Sequence, residues 1–538
     1  MTSRLARGVA GGALLIGAIT VLARVTGFAK QYALAQTVGT NCLSSAYFTA
    51  NQIPNIVFEV VVGGALAGMV VPVLAGAAAG GTEPGRDRVG RITSALLTWV
   101  VVVLVPVAVL TALLAGPIVG LFTVEGCEAA DVNAVATRML VVFAPQIPLY
   151  GVAVVLYGLL QAHNRFAGPA VAPLVSSIVV IVAYLLFVPL SQGEVDPGRV
   201  PRAAELALSV GTSLGVLALV LTVIGPTARL GLRWRPTLGF PDGVAAQVRR
   251  LAMAGIAGLL AQQAAMVVVL ALSNNVIGEG ALAVYNYAWA IYLVPYAVLA
   301  VPIATSAFPR LAAQAEGGET EAFSALAAST TRAVVLVSGV AAGVLAASSE
   351  PGAVVFLGSK TEVSPAELAR AIALFAPGLI GYGLIAHLSR VLYALGRGRA
   401  VAAGTVAGWG VVMVAQTVFA LAFPAGWKIA GMALGMTVGM TAGGGLLLLF
   451  VARERGRAAM AGLGRAGSAA VAGGVAGFVA GAAVARAFGA AGIWPNVWAT
   501  LLAAAVAAAV GGCVVALVDR ADARMVAGAL GRRGSDRG

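Results

Sequence analysis

The sequence is poor in charge: Asp, Glu, Lys and Arg make up 10% of its 538 residues, against roughly 25% in soluble domains. Because 60% of the chain is hydrophobic, a soluble core could not hide its apolar surface, and lipid must be the solvent. Membrane spans need about 20 mostly apolar residues and must satisfy their own backbone hydrogen bonds. The long Ala-, Leu-, Val- and Gly-rich runs favour helices over barrel strands, which alternate over about ten residues.

Motifs for soluble chemistry are missing as well. The two histidines, His163 and His387, show no metal-ligand spacing, and the sequence contains no Walker motif and no nucleophile–base arrangement. We therefore expect no catalytic residue, no metal and no cofactor, and coupling only to an ion gradient or the membrane potential. The net charge is +13, and the basic residues that produce it lie in short loops. This placement favours anionic lipid headgroups over nucleic acid as the partner.

The apolar runs predict an all-α polytopic membrane protein with about fourteen spans. The predicted spans are 8–35, 46–78, 92–116, 132–160, 169–190, 204–226, 247–274, 281–312, 323–347, 365–394, 401–423, 429–451, 466–489 and 496–518. Few basic residues fall in the alternate loops that this order places outside, namely Arg199, Arg202, Lys360 and Lys428. This asymmetry predicts a protein of the inner (plasma) membrane with both termini in the cytoplasm.

The sequence also contains an internal repeat. Arg138, Phe143-Ala144-Pro145 and Tyr150-Gly151 recur 232 positions later (370 − 138) as Arg370, Phe375-Ala376-Pro377 and Tyr382-Gly383. A weaker echo pairs Val71-Pro72 with Phe308-Pro309. Because six spans separate the copies, the repeat predicts two parallel six-helix lobes around a cavity that opens alternately to either side. The predicted divisions are lobes 1–226 and 227–452, two extra spans in 453–518, and a cytoplasmic tail, 519–538.

A polar helix face in the second span is the first candidate site. Glu59 is a carboxylate deep within a predicted span, where a charge is costly unless it faces a cavity or a partner. Asn55 lies four residues before Glu59, and Asn51 and Gln52 lie about one helical turn further back. All three therefore share the helix face of Glu59. We interpret this face as a cavity wall that contacts substrate, and a structural ion pair is the alternative.

Two cations in the first span, Arg24 and Lys30, are the second candidate site. The planar fork of Arg suits phosphate, because it donates two hydrogen bonds at once. Both cations are therefore expected to contact an anionic substrate group or to pair with Glu59.

Further candidates lie at the ends of the spans. Four arginines at the ends of the repeated spans are expected to act as topology anchors or gates: Arg165 and Arg397 on the inner side, Arg138 and Arg370 on the outer side. Cys42 and Cys127 fall in the first two outer loops, where an oxidising compartment permits a disulfide. Cys513 is expected to be buried in the last span as a small apolar residue.

The segment from Arg24 to Lys30, Arg-Val-Thr-Gly-Phe-Ala-Lys, resembles the Arg-x-x-Gly-Phe-x-Arg/Lys signature of the MurJ/MviN family. The segment from Asn164 to Pro173 resembles the family's stretch after its fourth span. The resemblance implies a lipid II flippase of the multidrug/oligosaccharidyl-lipid/polysaccharide exporter superfamily, with two lobes around a cationic cavity. It also implies that Arg24 and Lys30 meet the pyrophosphate of a lipid-linked saccharide precursor, and that cell-wall synthesis proteins are partners.

Three charged family positions are changed in this chain. Ser45 stands where the family usually has an acidic residue, Phe58 lies where an Arg follows the Pro-Asn pair, and Trp289-Ala290 replaces an Asp-Arg pair. Two further interpretations therefore stay open beside the flippase. One is a drug or polysaccharide exporter of the same superfamily, and the other is a non-transporting scaffold of envelope synthesis.

Overall fold

A computed structural model describes residues 2–60, 70, 73–74, 83–232, 234–241, 244–358, 362–488 and 492–524. This part of the chain is almost entirely helical. Its α-helices are α1 Thr2–Thr37, α2 Cys42–Phe58, α3 Glu83–Leu113, α4 Ala115–Gly120, α5 Ala129–Phe143, α6 Gln146–Ala162, α7 Ala167–Ser191, α8 Arg202–Ala228, α9 Val244–Leu272, α10 Ala281–Pro295, α11 Val301–Glu316, α12 Thr320–Ala347, α13 Ser349–Leu357, α14 Pro365–Phe375, α15 Gly378–Ala394, α16 Gly398–Ala422, α17 Lys428–Arg455, α18 Leu463–Ala487 and α19 Ile493–Val518.

The helices confirm the predicted all-α membrane class. Eleven helical segments in the described residues are long and apolar enough to cross a membrane, or twelve if the bent pair α14 and α15 counts as one span. These twelve coincide with the third to fourteenth predicted spans. The first predicted span coincides with α1, whereas the second begins in α2 and continues into residues outside the described part. The count of fourteen is therefore approximate.

The chain forms two compact units. The first comprises Met1–Met266 with Gly278–Ala283, and the second comprises Val267–Ile277 with Val284–Gly538. The first unit thus contains most of α9, which the sequence repeat assigns to the second lobe, and the predicted lobe boundaries stay a prediction.

The first unit is packed closely, with polar bonds between its helices. An added Cβ at Gly211 would come within 2.1 Å of the Ala183 side chain, so α7 and α8 can approach this closely only with glycine there. The buried Tyr47 hydroxyl bonds to Tyr184 at 2.7 Å and to Thr212 at 2.9 Å, which joins α2 to both helices. These bonds replace water, which is absent at this depth.

The two helices beyond the repeat pack on the second unit. Gly343 in α12 faces the backbone of Gly474 in α18, and an added Cβ would lie 2.3 Å from the Gly474 carbonyl oxygen. Residues that follow α19 are also held there, since Asp519 and Asp522 are 1% and 4% exposed. The first residues of the predicted cytoplasmic tail, 519–538, therefore dock on the helical unit.

Candidate functional site

The second half of α2 carries the predicted polar face. Residues 43–50 are buried, after an N-terminal capping box in which Asn41 and Ser44 bond each other's backbone. From residue 51 onward most side chains of the helix are more exposed: Asn51, Gln52, Asn55 and Glu59 are all half-buried. Pro54 has no N–H, and next to it the Asn55 side-chain amide donates to the Asn51 carbonyl at 2.9 Å. The structure therefore brings these four predicted residues into one partly accessible stretch.

The helical hydrogen bonding widens to π geometry at Glu59 and Val60. The other unit has two π turns among the described residues, Ser273–Ile277 after α9 and Tyr296–Ala300 after α10. The turns that begin at Glu59 and Tyr296 lie 237 residues apart (296 − 59), which is the offset of the weak sequence echo (309 − 72). Such turns inside α-helices frequently mark functional sites. Both copies of the repeat thus carry the same irregularity.

The repeated Ala-Pro pair interrupts a second helix in each unit. α5 ends at Phe143 before Ala144-Pro145, and α14 ends at Phe375 before Ala376-Pro377. The axes of α14 and α15 differ by 44°. The repeated tyrosines lie just beyond these breaks and approach the π turns: Tyr150 lies 4.3 Å from Phe58 and Tyr382 lies 4.2 Å from Tyr296, between ring centroids. Helices interrupted at corresponding positions of two repeats indicate a substrate site in transporters.

Arg24 and Lys30 lie on α1. Arg24 is exposed, as are Val21, Leu22 and Val25 beside it, so this section of α1 contacts little of the described chain on any side. Lys30 is half-buried. Within the described residues no salt bridge joins Glu59 to either cation, so the ion pair considered from the sequence is not formed there. An added Cβ at Gly27, between the two cations, would meet no atom within 4 Å.

The four arginine candidates have different surroundings. Arg138 forms a bidentate ion pair with Glu205, whose side chain is 3% exposed, and so ties α5 to α8. Its repeat equivalent Arg370 instead lies 4.7 Å from the ring centroid of Trp427. The other two are exposed and contact neighbouring helices. Arg165 donates to the Pro226 carbonyl at 3.4 Å, and Arg397 pairs with Glu454 at 2.9 Å. The anchor and gate roles of the four arginines both stay predictions.

Glu205 was not recognised from the sequence, because it lies at the edge of a predicted span. Arg138, at the outer end of another predicted span, was a sequence signal that could have identified Glu205 as its partner. Cys513 also differs from expectation, since it is exposed on the protein surface rather than buried. It lies on the face of α19 that no described helix covers.

Cys42 and Cys127 are joined by a disulfide, with Cα atoms 5.9 Å apart. The bond links the end of the connection between α1 and α2, at the first residue of α2, to the connection between α4 and α5. The Glu279 carboxylate accepts a hydrogen bond from the Cys42 backbone N–H at 3.2 Å, and the Glu279 N–H donates to the Glu125 carbonyl at 3.0 Å. The three connections thus form one bonded cluster in the first unit.

Comparison with known proteins places these features in a family. The lipid II flippase MurJ family matches residues 34–519. The lipid II flippase MurJ of Burkholderia cenocepacia is 26% identical over 71% of this chain and 72% of its own length. The corresponding protein of Synechocystis sp., named a probable lipid II flippase MurJ, is 26% identical over 42% of this chain and 41% of its own.

Solved structures show the same fold. A lipid II flippase MurJ in an inward closed conformation superposes with a TM-score of 0.73, at 16% identity, covering 93% of this chain and 98% of its own. An inward-facing multidrug resistance MATE family transporter of the MOP superfamily reaches 0.66 at 14% identity, covering 80% of this chain and 94% of its own. The fold is therefore shared by flippases and drug transporters.

Proposed function

The chain belongs to the lipid II flippase MurJ family, and from this premise we propose that it moves lipid II across the cytoplasmic membrane for peptidoglycan synthesis. The family match over residues 34–519 carries the proposal. The polar stretch of α2 and the interrupted helices of both repeats support it, because a saccharide cannot cross hydrocarbon without polar partners.

In this proposal, different residues bind different parts of the substrate. Arg24 and Lys30 bind the pyrophosphate, Arg24 through its two-pronged donor set. Asn51, Gln52, Asn55 and Glu59 bind hydroxyl and amide groups of the head. Because Arg24 lies on a section of α1 that contacts little of the described chain, its guanidinium is available to a ligand.

Transport proceeds by alternating access, with loading from the cytoplasmic leaflet and release on the outer side. The termini are cytoplasmic, as the loop charges predict. Coupling comes from an ion gradient or the membrane potential, and the potential supplies about 2.3 kcal/mol per charge per 100 mV. Cell-wall synthesis proteins are the expected partners outside the lipid phase.

Complementation tests this function. A bacterial host is depleted of its own lipid II flippase while this chain is expressed, and growth and cell-wall synthesis are measured with membrane expression confirmed. The wild-type chain should rescue, Arg24→Ala should not, and Arg229→Ala, which removes a cation after α8, should rescue like wild type. Absence of wild-type rescue at full expression contradicts the proposal.

A drug exporter is the second candidate. It is favoured by the loss of the family's arginines at Phe58 and Ala290, which removes two cations that would hold a pyrophosphate. If overexpression raises drug resistance without rescuing cell-wall synthesis, the drug-exporter function is supported.

A further inference from the structure

Four aromatic side chains, three of them partly accessible, meet in the second unit, where the family has a charged pair. Trp289, Tyr292 and Tyr296 lie three and seven residues apart on α10 and the π turn after it, so they share one helix face. Tyr382 of α15 touches all three: its ring centroid lies 6.0 Å from Trp289, 6.1 Å from Tyr292 and 4.2 Å from Tyr296. We call these four residues the aromatic ladder.

The ladder is not an ordinary core cluster. Tyr292 is fully buried, but Trp289, Tyr296 and Tyr382 are only half-buried. The Tyr292 hydroxyl is buried without a hydrogen-bond partner among the described residues. It lies at the break between α14 and α15, since a Cβ added to Gly378 would come 3.2 Å from it. A buried hydroxyl without a partner costs free energy, so the Tyr292 hydroxyl is a group that a nearby polar ligand would stabilise.

The ladder is not a membrane-interface belt either. Trp and Tyr of such belts lie at headgroup level. Counted from the start of α10 at Ala281, a rise of about 1.5 Å per residue places Trp289 roughly 12 Å and Tyr296 roughly 22 Å along the helix. With the start of α10 at the edge of a hydrocarbon layer of about 30 Å, both rings lie inside the layer rather than at its edges.

The position of the ladder corresponds to the polar site of the first unit. Tyr296 occupies the repeat position of Glu59 at the start of each π turn, and Tyr382 occupies that of Tyr150. The first repeat therefore offers amides and a carboxylate at this position, and the second offers rings with phenol hydroxyls. Pyranose rings present an apolar C–H face and a rim of hydroxyls, which suits a ring surface that carries hydrogen-bonding tips.

We propose that the aromatic ladder binds the sugar rings of the lipid-linked substrate by stacking, in place of the charged contacts that this chain has lost at Trp289 and Ala290. The inference rests on the proposed function, because it assigns the saccharide part of that substrate to named residues. Trp289 supplies a half-buried indole ring at one end of the ladder, and Tyr296 and Tyr382 supply rings and hydroxyls beside it.

The test compares two ligands on the purified full-length chain by native mass-spectrometric titration. One is lipid II, and the other is polyprenyl pyrophosphate, which has no sugar. Trp289→Leu should weaken lipid II binding about tenfold, the size of one aromatic stack, and leave polyprenyl pyrophosphate binding unchanged. Trp289→Phe, which keeps a ring, should recover most of the loss. Trp234→Leu, in the exposed loop after α8, is the matched control and should bind both ligands like wild type.

Each other outcome overturns the assignment. Equal weakening for both ligands would show that the ladder holds the polyprenyl chain or the pyrophosphate. Unchanged lipid II binding in folded Trp289→Leu would show that the ladder does not contact substrate. Failure of the wild-type chain to bind either ligand would instead refute the proposed function, and the ladder assignment with it. Tyr296→Leu gives an independent reading if Trp289→Leu does not fold.

Discussion

A buried ion pair fastens the segment after the last helix to α12. Arg332 donates two hydrogen bonds to the Asp522 carboxylate, from Nε and from Nη2, and the side chains are 18% and 6% exposed. Arg332 also donates from Nη1 to the Ala461 carbonyl at 2.7 Å. Replacing Arg332 by Met leaves Asp522 buried without its cation, and breaking a buried pair in this way costs about 3–5 kcal/mol.

That cost fixes the expected size of the effect. Since about 1.4 kcal/mol is a factor of ten, the undocked population of the segment should rise by roughly two to four orders of magnitude in Arg332→Met. Trypsin cleavage after Arg520, which lies in a helical turn, measures this population, because a helical peptide bond is cut only when it opens. We expect cleavage at least about a hundredfold faster than in wild type. Arg399→Met, which removes an exposed arginine, is the control and should be cut at the wild-type rate.

A double variant separates the pair from mere packing. Arg332→Met with Asp522→Leu removes both charges, so no ion is left unpaired, and an apolar replacement of a buried pair is often neutral. Cleavage should return most of the way toward the wild-type rate. If the single variant is cut no faster than wild type, or the double variant is cut as fast as the single, the pair does not hold the segment.

The same pair predicts an acid dependence. Burial acts to raise the pKa of the Asp522 carboxyl, but the hydrogen bond and charge of Arg332, together with a hydrogen bond to Asp519 and the charge of Arg465, lower the pKa overall. A carboxyl with a lowered folded pKa stabilises above its unfolded value, about 3.9, and loses that contribution as the pH falls through the folded value. The Tm difference between wild type and Asp522→Asn should therefore be full at pH 6 and shrink below about pH 4. A constant difference would contradict this reasoning.

Two further predictions concern the links between elements. Cys127→Ser, or reduction of the wild-type protein, should lower stability by about 2–4 kcal/mol because the bond closes a loop with a sequence separation of 85; thermal unfolding with and without reductant measures it, and an unchanged Tm would argue against the bond. Gly343→Val should lower Tm markedly, because the new side chain meets the Gly474 backbone, whereas Gly410→Val, where an added Cβ meets nothing within 4 Å, should not.

Hydropathy and motifs determined the class, the approximate span count and the family. Each crossing must be apolar along most of its length, so the spans can be recognised without knowing their neighbours. The repeat was also readable, because Arg, Pro and Tyr stand out against an Ala-rich background. The signature around Arg24 and Lys30 then indicated the family, and the match over residues 34–519 confirmed it.

Tertiary structure decided which of these residues meet. The Arg138–Glu205 pair, the docking of Asp522 on Arg332, and the rings that Tyr382 gathers all join helices distant in sequence. Such contacts depend on the rotation and register of each helix, and in a span that is apolar all round the sequence carries little information on either. For the same reason the exposure of Cys513 was misjudged: the sequence shows that a residue lies in the membrane, but only packing decides whether it faces protein or lipid.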